Sequence, residues 1–245
     1  MHNVDEEKHG MIKILFICHG NICRSPMAEF ILKDMAAKIG RAGEFYIESA
    51  ATTSEELGNP VYPPARRELG RHGLSCEGKY ARLCTAEDYD RFDFLLGMDE
   101  ENMYDLLRRY HGDPDGKIHN LLDFAGRIGE EVADPWYTGD FRTTWNDLWQ
   151  GCLAFLNALN GDRTVTVDLS GCTGRKELYG VLRNSMLFEE DYGSNLDALY
   201  DILTGLPHYG SKFELLLPSH PDIADYALRV EDVFRDAGAL DRGLD

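Results

Sequence analysis

Along the first 160 residues, short apolar runs alternate with longer stretches in which apolar residues recur at helical spacing. The apolar runs predict buried strands near residues 12–17, 45–49, 94–98 and 118–122. The intervening stretches predict helices near residues 27–39, 64–72, 100–110 and 141–159. This alternation is typical of an α/β protein with a parallel, Rossmann-like sheet and helices on both of its faces.

A second pattern begins where Asn160 and Gly161 interrupt the last of these helices. Strands are predicted at residues 164–169 and 213–217, and helices at 175–187, 196–203 and 223–237. We therefore expect a disordered leader at 1–10, a first domain at 11–160 and a smaller α/β domain at 161–245. The leader is polar and acidic, so it lacks the pattern of a signal peptide.

The stretch that carries the most chemistry directly follows the first predicted strand, and its sequence is Cys18-His19-Gly20-Asn21-Ile22-Cys23-Arg24-Ser25-Pro26. At a strand-to-helix junction, successive backbone N–H groups can surround an anion, and the helix end adds partial positive charge. The same groups stabilise a thiolate at Cys18. Arg24 supplies a planar fork that matches two oxygens of a phosphoryl group. The motif predicts a cysteine nucleophile inside a phosphate-binding loop.

This Cys-x5-Arg-Ser run resembles the active-site loop of the low-molecular-weight protein tyrosine phosphatases. Residues 47–52, 92–99 and 133–137 match further segments of that family, so the resemblance covers roughly residues 11–160. It implies hydrolysis of phosphotyrosine in a protein substrate, without a metal or another cofactor. In that family Cys18 would attack phosphorus, Arg24 would hold the phosphoryl oxygens, and Asp134 would serve as the general acid.

The resemblance also implies roles for residues around these three. Ser25 would support the thiolate and Asn21 would hold the shape of the loop, and the remaining phosphate-binding or supporting positions are His19, Gly20, Ile22, Cys23 and Ser49. Trp136 and Tyr137 would line the mouth of a cleft deep enough for an aryl phosphate. Such depth favours phosphotyrosine over the shorter phosphoserine.

Three positions bear on how closely the chain follows its family. Glu55 and Glu56 stand where the family often has an aromatic residue, which predicts poor binding of acidic phosphopeptides. Lys79 stands where the family usually has a histidine that supports the loop. Cys23 has two interpretations: it can form a protective disulfide with the nucleophile, as in the family, or fill the loop as a small buried side chain.

Arsenate reductase is an alternative enzyme, because related proteins use the same loop to hold arsenate. Those relatives need resolving cysteines, one of them at the end of the third strand. Gly97 and Met98 occupy that position here, while Cys76 and Cys84 lie elsewhere in the sequence. The phosphatase interpretation is therefore preferred.

The second domain resembles the barstar family of ribonuclease inhibitors over residues 163–240, most clearly at 189–205. Asp197 and Asp201 lie one helical turn apart and project from one face. In the inhibitor interpretation Asp201 would anchor a basic ribonuclease, surrounded by Tyr192, Asp197, Tyr200 and Asp236. A solvated acidic face is the alternative. No β-rich segment follows residue 237, so the barstar-like sheet is expected to have two strands instead of three.

Composition narrows the remaining function classes. The formal net charge of −18 argues against nucleic acid as a partner. No apolar stretch approaches the roughly 20 residues that span a bilayer, so no membrane association is expected. Six cysteines, one of them needed as a free thiolate, favour a reducing cytoplasm. The rival class is an interaction protein, in which ribonuclease inhibition is primary and the first domain secondary.

Overall fold

Four parallel strands form the sheet in the first part of the chain: β1 (Ile12–Cys18), β2 (Phe45–Ala51), β3 (Phe94–Gly97) and β4 (Ile118–Asn120). Their order across the sheet is β2-β1-β3-β4. The computed structural model describes residues 10–161, 163–188, 193–205 and 207–241. The leader proposed for residues 1–10 therefore falls, except for Gly10, outside the described residues. The α/β class with a parallel sheet is confirmed.

Helices connect the strands at nearly the predicted positions: α1 (Arg24–Lys38), α2 (Pro63–Arg71), α3 (Glu87–Arg91), α4 (Glu100–Arg109), α5 (Pro135–Thr138) and α6 (Phe141–Asn160). The prediction that α1 starts at residue 27 was wrong, because the helix begins at Arg24. Pro26 fits inside the first turn, where its missing N–H group has no helical partner to lose. Neither α3 nor α5 was predicted, since each is too short to show a helical period.

The order of the strands determines where a site can form. The chain runs from β1 to β2 on one side of it and then crosses from β2 to β3 on the other side, so the direction of the connections reverses between β1 and β3. Loops diverge there at the carboxyl ends of the strands and leave a crevice. Cys18 is the last residue of β1, and Asp99 follows the end of β3, the strand beside it.

Contacts divide the chain into two units, residues 1–152 and 153–245, with the division inside α6. The second unit contains two parallel strands, β5 (Val165–Asp168) and β6 (Phe213–Leu216), and three helices, α7 (Arg175–Met186), α8 (Leu196–Gly205) and α9 (Pro221–Asp236), within the described residues. Its core includes the Phe213 and Phe234 rings, whose centroids are 5.3 Å apart.

One isolated bridge near residue 240 extends the sheet of the second unit beyond β6. Leu240 forms an isolated parallel bridge with Phe213, whose N–H group donates to the Ala239 carbonyl at 2.8 Å. The Asp241 N–H group donates to the Phe213 carbonyl at the same distance of 2.8 Å. The sheet of two strands therefore agrees with expectation over the described residues. Among those residues, none of the helices is long and apolar enough to cross a membrane.

Candidate active site

Cys18 and Ser25 meet at the carboxyl end of β1. The Cys18 Sγ atom lies 3.0 Å from the Ser25 Oγ atom, and the cysteine is only 3% exposed. Ser25 belongs to the first turn of α1, so the loop of residues 19–23 returns the chain to the nucleophile. The serine hydroxyl can donate a hydrogen bond to the sulfur at this distance.

Asn21 holds that loop in an otherwise unfavourable shape. Its φ of 55° is in the left-handed region, which costs a residue with a side chain roughly 1–2 kcal/mol. Three hydrogen bonds offset this cost. The Asn21 amide donates to Ser25 Oγ at 2.9 Å and to Ser49 Oγ at 2.8 Å, and its oxygen accepts from the Arg82 N–H group at 3.1 Å. The side chain is fully buried, so these bonds are protected from water.

The buried carboxylate of Glu29 is connected to Asn21 through the Ser49 hydroxyl. Ser49 Oγ donates to Glu29 at 2.6 Å, and the Lys79 ammonium both pairs with Glu29 at 2.9 Å and donates to the Ser49 carbonyl at 3.0 Å. Lys33 pairs with the other Glu29 oxygen at 2.5 Å. Burial disfavours the charged carboxylate, but Lys79 and Lys33 outweigh it and hold the pKa of Glu29 below its ordinary value.

Arg24 is held between two carboxylates on the other side of the loop. Its Nη1 atom lies 2.5 Å from Asp99 Oδ2, and its Nη2 atom lies 2.8 Å from Asp134 Oδ2. The guanidinium is buried, with 4% of the residue exposed. Burial disfavours its charge, but the Cys18 sulfur, Asp99 and Asp134 together raise the pKa of Arg24.

The loop that carries Asp134 is fixed at several points. Asp134 caps α5, since its Oδ1 atom accepts from the Trp136 N–H group at 2.9 Å. Just before it, the Val132 N–H group donates to the Met98 carbonyl at 2.8 Å, and the Ala133 N–H group donates to Asp147 at 3.0 Å. These contacts position one Asp134 oxygen toward Arg24.

A cleft of about 670 Å³ opens above the loop. Trp136 and Tyr137 line it and are 59% and 86% exposed. Four glutamates also line it and are here called the acidic rim: Glu55, Glu56, Glu101 and Glu131. The His19 ring lies 3.2 Å from Glu55, so its side chain contacts this rim. Gly20 and Ile22 also line the cleft.

Cys23 is the second thiol of the loop and lines the same cleft. It precedes α1 and is buried. Burial, followed by the neighbouring Cys18 sulfur and Asp134, raises the pKa of the Cys23 thiol well above its ordinary value. Cys23 is therefore protonated at neutral pH. Within the described residues, no cluster of His, Cys, Asp and Glu is arranged to hold a metal ion.

Comparison with known families identifies the first part of the chain. Residues 13–165, more than half of the sequence, match the model described as low molecular weight phosphotyrosine protein phosphatase. The chain belongs to this family. Residues 163–243 of the phosphatase match a second model, described as Barstar (barnase inhibitor). A barstar-like domain thus follows the phosphatase domain, and it suggests an interaction with another protein.

Individual relatives agree with this assignment. The phosphatase is 37% identical over 154 residues to low molecular weight protein-tyrosine-phosphatase YfkJ of Bacillus subtilis, covering 62% of this chain and 99% of that protein. It is 35% identical over 147 residues to the Homo sapiens low molecular weight phosphotyrosine protein phosphatase, covering 58% and 92%. The crystal structure of YfkJ matches with a TM-score of 0.61 and 36% identity, over 64% of this chain and 99% of that one.

Two residues of the phosphatase site were not found by sequence reasoning. Asp99 follows β3, and the adjacency of β3 to β1 would have indicated it once the strand order was known. Glu29 is an acidic residue within the buried first turns of α1. Its charge at a position flanked by apolar residues was the signal that could have revealed it.

The residues proposed for the barstar-like surface lie on two helices. Asp197, Tyr200 and Asp201 are exposed on α8, while Leu199 and Ile202 of the same helix are buried. Asp236 is exposed at the end of α9. Tyr192 lies outside the described residues.

The Glu29–Lys79 pair leads to a prediction about stability. Replacing Lys79 by Met leaves the buried Glu29 carboxylate with Lys33 as its one cationic partner among the described residues, and the Lys33 side chain is 43% exposed. We expect Lys79→Met to lower the free energy of unfolding at pH 7 by about 3 kcal/mol, as for a buried pair that loses one partner. Urea unfolding of both proteins measures the difference.

The pH dependence distinguishes this cause from lost packing. In the wild type, the depressed pKa of Glu29 contributes stability above its ordinary value of 4.5, and this contribution is lost as the pH falls below it. In Lys79→Met burial raises that pKa, so the destabilisation should shrink between pH 7 and pH 4. The control Lys33→Met removes the more exposed partner and should cost under about 1 kcal/mol. A difference independent of pH would contradict the charge argument.

Proposed function

We propose that the phosphatase hydrolyses phosphotyrosine in proteins through a phosphocysteine intermediate on Cys18. The observation that carries the proposal is the contact of Cys18 Sγ with Ser25 Oγ, in the loop beside the buried Arg24 guanidinium. In the first step the Cys18 thiolate attacks phosphorus and the bond to the tyrosyl oxygen breaks. Asp134 donates a proton to that leaving oxygen. In the second step water attacks phosphorus, Asp134 takes its proton, and the sulfur–phosphorus bond breaks.

Arg24 links substrate binding to this proton transfer. Its Nη2 atom contacts Asp134 Oδ2 at 2.8 Å. Phosphoryl oxygens are better matched to the guanidinium fork and would take that place, which releases Asp134 to face the leaving oxygen. Asp99 keeps Nη1 and thereby keeps the fork oriented. Backbone N–H groups of the loop supply the other contacts to the phosphoryl group.

An arsenate reductase would need a further resolving thiol at the cleft. Among the residues that line it, all of them described, the thiols are Cys18 and Cys23. Cys84 is buried elsewhere, and its pKa is raised to about 11, chiefly by burial. These observations favour the phosphatase.

Two substitutions test the proposed mechanism with para-nitrophenyl phosphate as substrate. Cys18→Ser should abolish turnover but retain phosphate binding, because backbone N–H groups and Arg24 form the anion site. Asp134→Ala should lower the rate by about 10²- to 10⁴-fold, the usual contribution of a general acid. The control Cys172→Ser changes a buried thiol of the second unit and should leave the rate unchanged. Activity of Cys18→Ser near that of the wild type would overturn the assignment.

We further propose that Cys23 protects the nucleophile from over-oxidation. Oxidation of Cys18 by peroxide gives a sulfenic acid, and attack by Cys23 forms the Cys18–Cys23 disulfide with loss of water. The attacking species is the thiolate, and the pKa of Cys23 is raised, first by burial. The disulfide should therefore form faster as the pH rises.

Recovery after peroxide treatment tests this role. The wild type should regain activity with dithiothreitol, whereas Cys23→Ser should recover poorly because Cys18 proceeds to irreversible oxides. Cys172→Ser serves as the matched control and should recover like the wild type. Full recovery of Cys23→Ser would leave Cys23 as a packing residue of the loop.

We propose that the exposed face of α8 in the barstar-like domain binds a basic ribonuclease. Asp197 lies in the first turn of α8, where an acidic side chain is favourable in any helix. Asp201 has no such explanation, and Asp236 lies in the last turn of α9, where a negative charge is unfavourable. Neither Asp201 nor Asp236 forms an ion pair with another described residue. A basic partner would explain both positions.

Binding of barnase to the full chain tests this surface. Association should be fast and should weaken with salt, because acidic side chains steer a basic partner. Asp201→Ala should weaken binding by about 2 kcal/mol or more, as for a central interface residue. Asp222→Ala at the start of α9 is the control and should have little effect. Calorimetry that detects no binding at micromolar concentration would leave only the solvated acidic face.

We propose a cytoplasmic location. All six cysteines are unpaired. The proposed reaction requires Cys18 in its reduced, unpaired form, and a reducing compartment keeps it so.

A further inference from the structure

A second pocket of about 390 Å³ lies beside the catalytic cleft. The two share one side chain, since Trp136 lines both. The Trp136 ring is 5.5 Å from the Tyr62 ring, which is in turn 6.2 Å from the Phe141 ring. The Tyr62 N–H group donates to the Ile22 carbonyl at 2.9 Å, so this aromatic wall is tied to the nucleophile loop. A substrate seated at Trp136 can therefore extend into the second pocket.

Three arginines line this pocket: Arg67, Arg71 and Arg142. Arg71 pairs with Glu68 at 2.6 Å. The other acid of the pocket, Asp140, accepts hydrogen bonds from the Arg142 and Thr143 N–H groups at 3.1 Å each, as a helix cap does. The Arg67 and Arg142 side chains form no ion pair with any part of the chain that the structure describes. Two arginine forks are thus available to an anion.

The two neighbouring sites have opposite charge. The catalytic cleft carries the four glutamates of the acidic rim, whereas the second pocket has three arginines and two acids, one excess positive charge. In a chain whose net charge is −18, such a local excess concentrates positive potential at one place. Guanidinium forks match carboxylates in geometry as well as in charge.

We propose that this arginine pocket is a substrate subsite for an aspartate or glutamate side chain close to the phosphotyrosine. The proposal rests on the proposed function, because the phosphotyrosine anchors the substrate in the cleft. The acidic rim then favours basic residues on the opposite flank. Acidic substrate residues on the side of the phosphotyrosine that meets the acidic rim should weaken binding, as the sequence predicts. Acidic residues on the other side, which meets the arginine pocket, should strengthen it.

Matched phosphotyrosine peptides test the subsite. A single Glu, or Gln as its uncharged counterpart, is placed at each position within four residues of the phosphotyrosine in an alanine background. Wild type should show a kcat/KM about two- to fivefold higher for Glu than for Gln at one or two positions on a single flank, the range expected for exposed arginine–carboxylate pairs. In the double variant Arg67→Gln/Arg142→Gln this Glu/Gln ratio should fall to about one.

Arg66→Gln is the matched control, because Arg66 lies on α2 next to Arg67 but does not line the arginine pocket. It should retain the wild-type Glu/Gln ratio and the wild-type rate with para-nitrophenyl phosphate. A ratio of one at every position in the wild type, or a ratio unchanged in the double variant, would overturn the subsite. Anisotropy measurements of the same peptides bound to Cys18→Ser, with and without the two arginine changes, should show the same preference. Failure of the wild type to hydrolyse para-nitrophenyl phosphate would instead contradict the proposed function.

Discussion

The hydrogen bonds of Asn21 are the constraint on which the active site depends. A loop of five residues must leave β1 at Cys18 and return to α1 closely enough for Ser25 to contact the sulfur, and it does so through the left-handed conformation of Asn21. The same amide joins the loop to Ser49 of β2 and, through it, to the buried Glu29–Lys79 pair. The sheet thereby determines the shape of the loop between Cys18 and Ser25.

Two carboxylates balance the charge of Arg24. A buried guanidinium requires partners, and Asp99 and Asp134 supply them on either side. Both carboxylates also cap helices: Asp99 accepts from the Asn102 N–H group of α4 at 2.6 Å, and Asp134 accepts from the Trp136 N–H group of α5 at 2.9 Å. They differ in burial, since the Asp99 side chain is 13% exposed and the Asp134 side chain 27%. One partner can therefore remain on the arginine while the other exchanges with a phosphoryl group.

Much of this arrangement could be predicted from local sequence. Apolar runs and helical spacing predicted the long strands and helices, because burial of one face produces a periodic pattern of apolar residues. The loop motif pointed to Cys18, Arg24 and Ser25. Asp99 could not be predicted in the same way, because its approach to Arg24 depends on the order of strands that are distant in sequence. The interaction of Lys79 with Glu29 likewise joins residues 50 positions apart. The short α5 left no periodic pattern, and the start of α1 was obscured because its first turn is buried.

We expect the phosphoryl group to pass through Cys18, and trapping that group on the protein is the sharpest test of this step. The wild-type protein is mixed with a phosphotyrosine peptide and quenched with denaturant at alkaline pH, where the sulfur–phosphorus bond is stable, within milliseconds to seconds. It is then digested at the same pH and analysed by mass spectrometry. We expect a phosphoryl group on the fragment that contains Cys18, appearing before free phosphate accumulates and disappearing as the substrate is consumed. Release of phosphate with no phosphorylated Cys18 at any quench time, or with the group on another residue, would contradict the account.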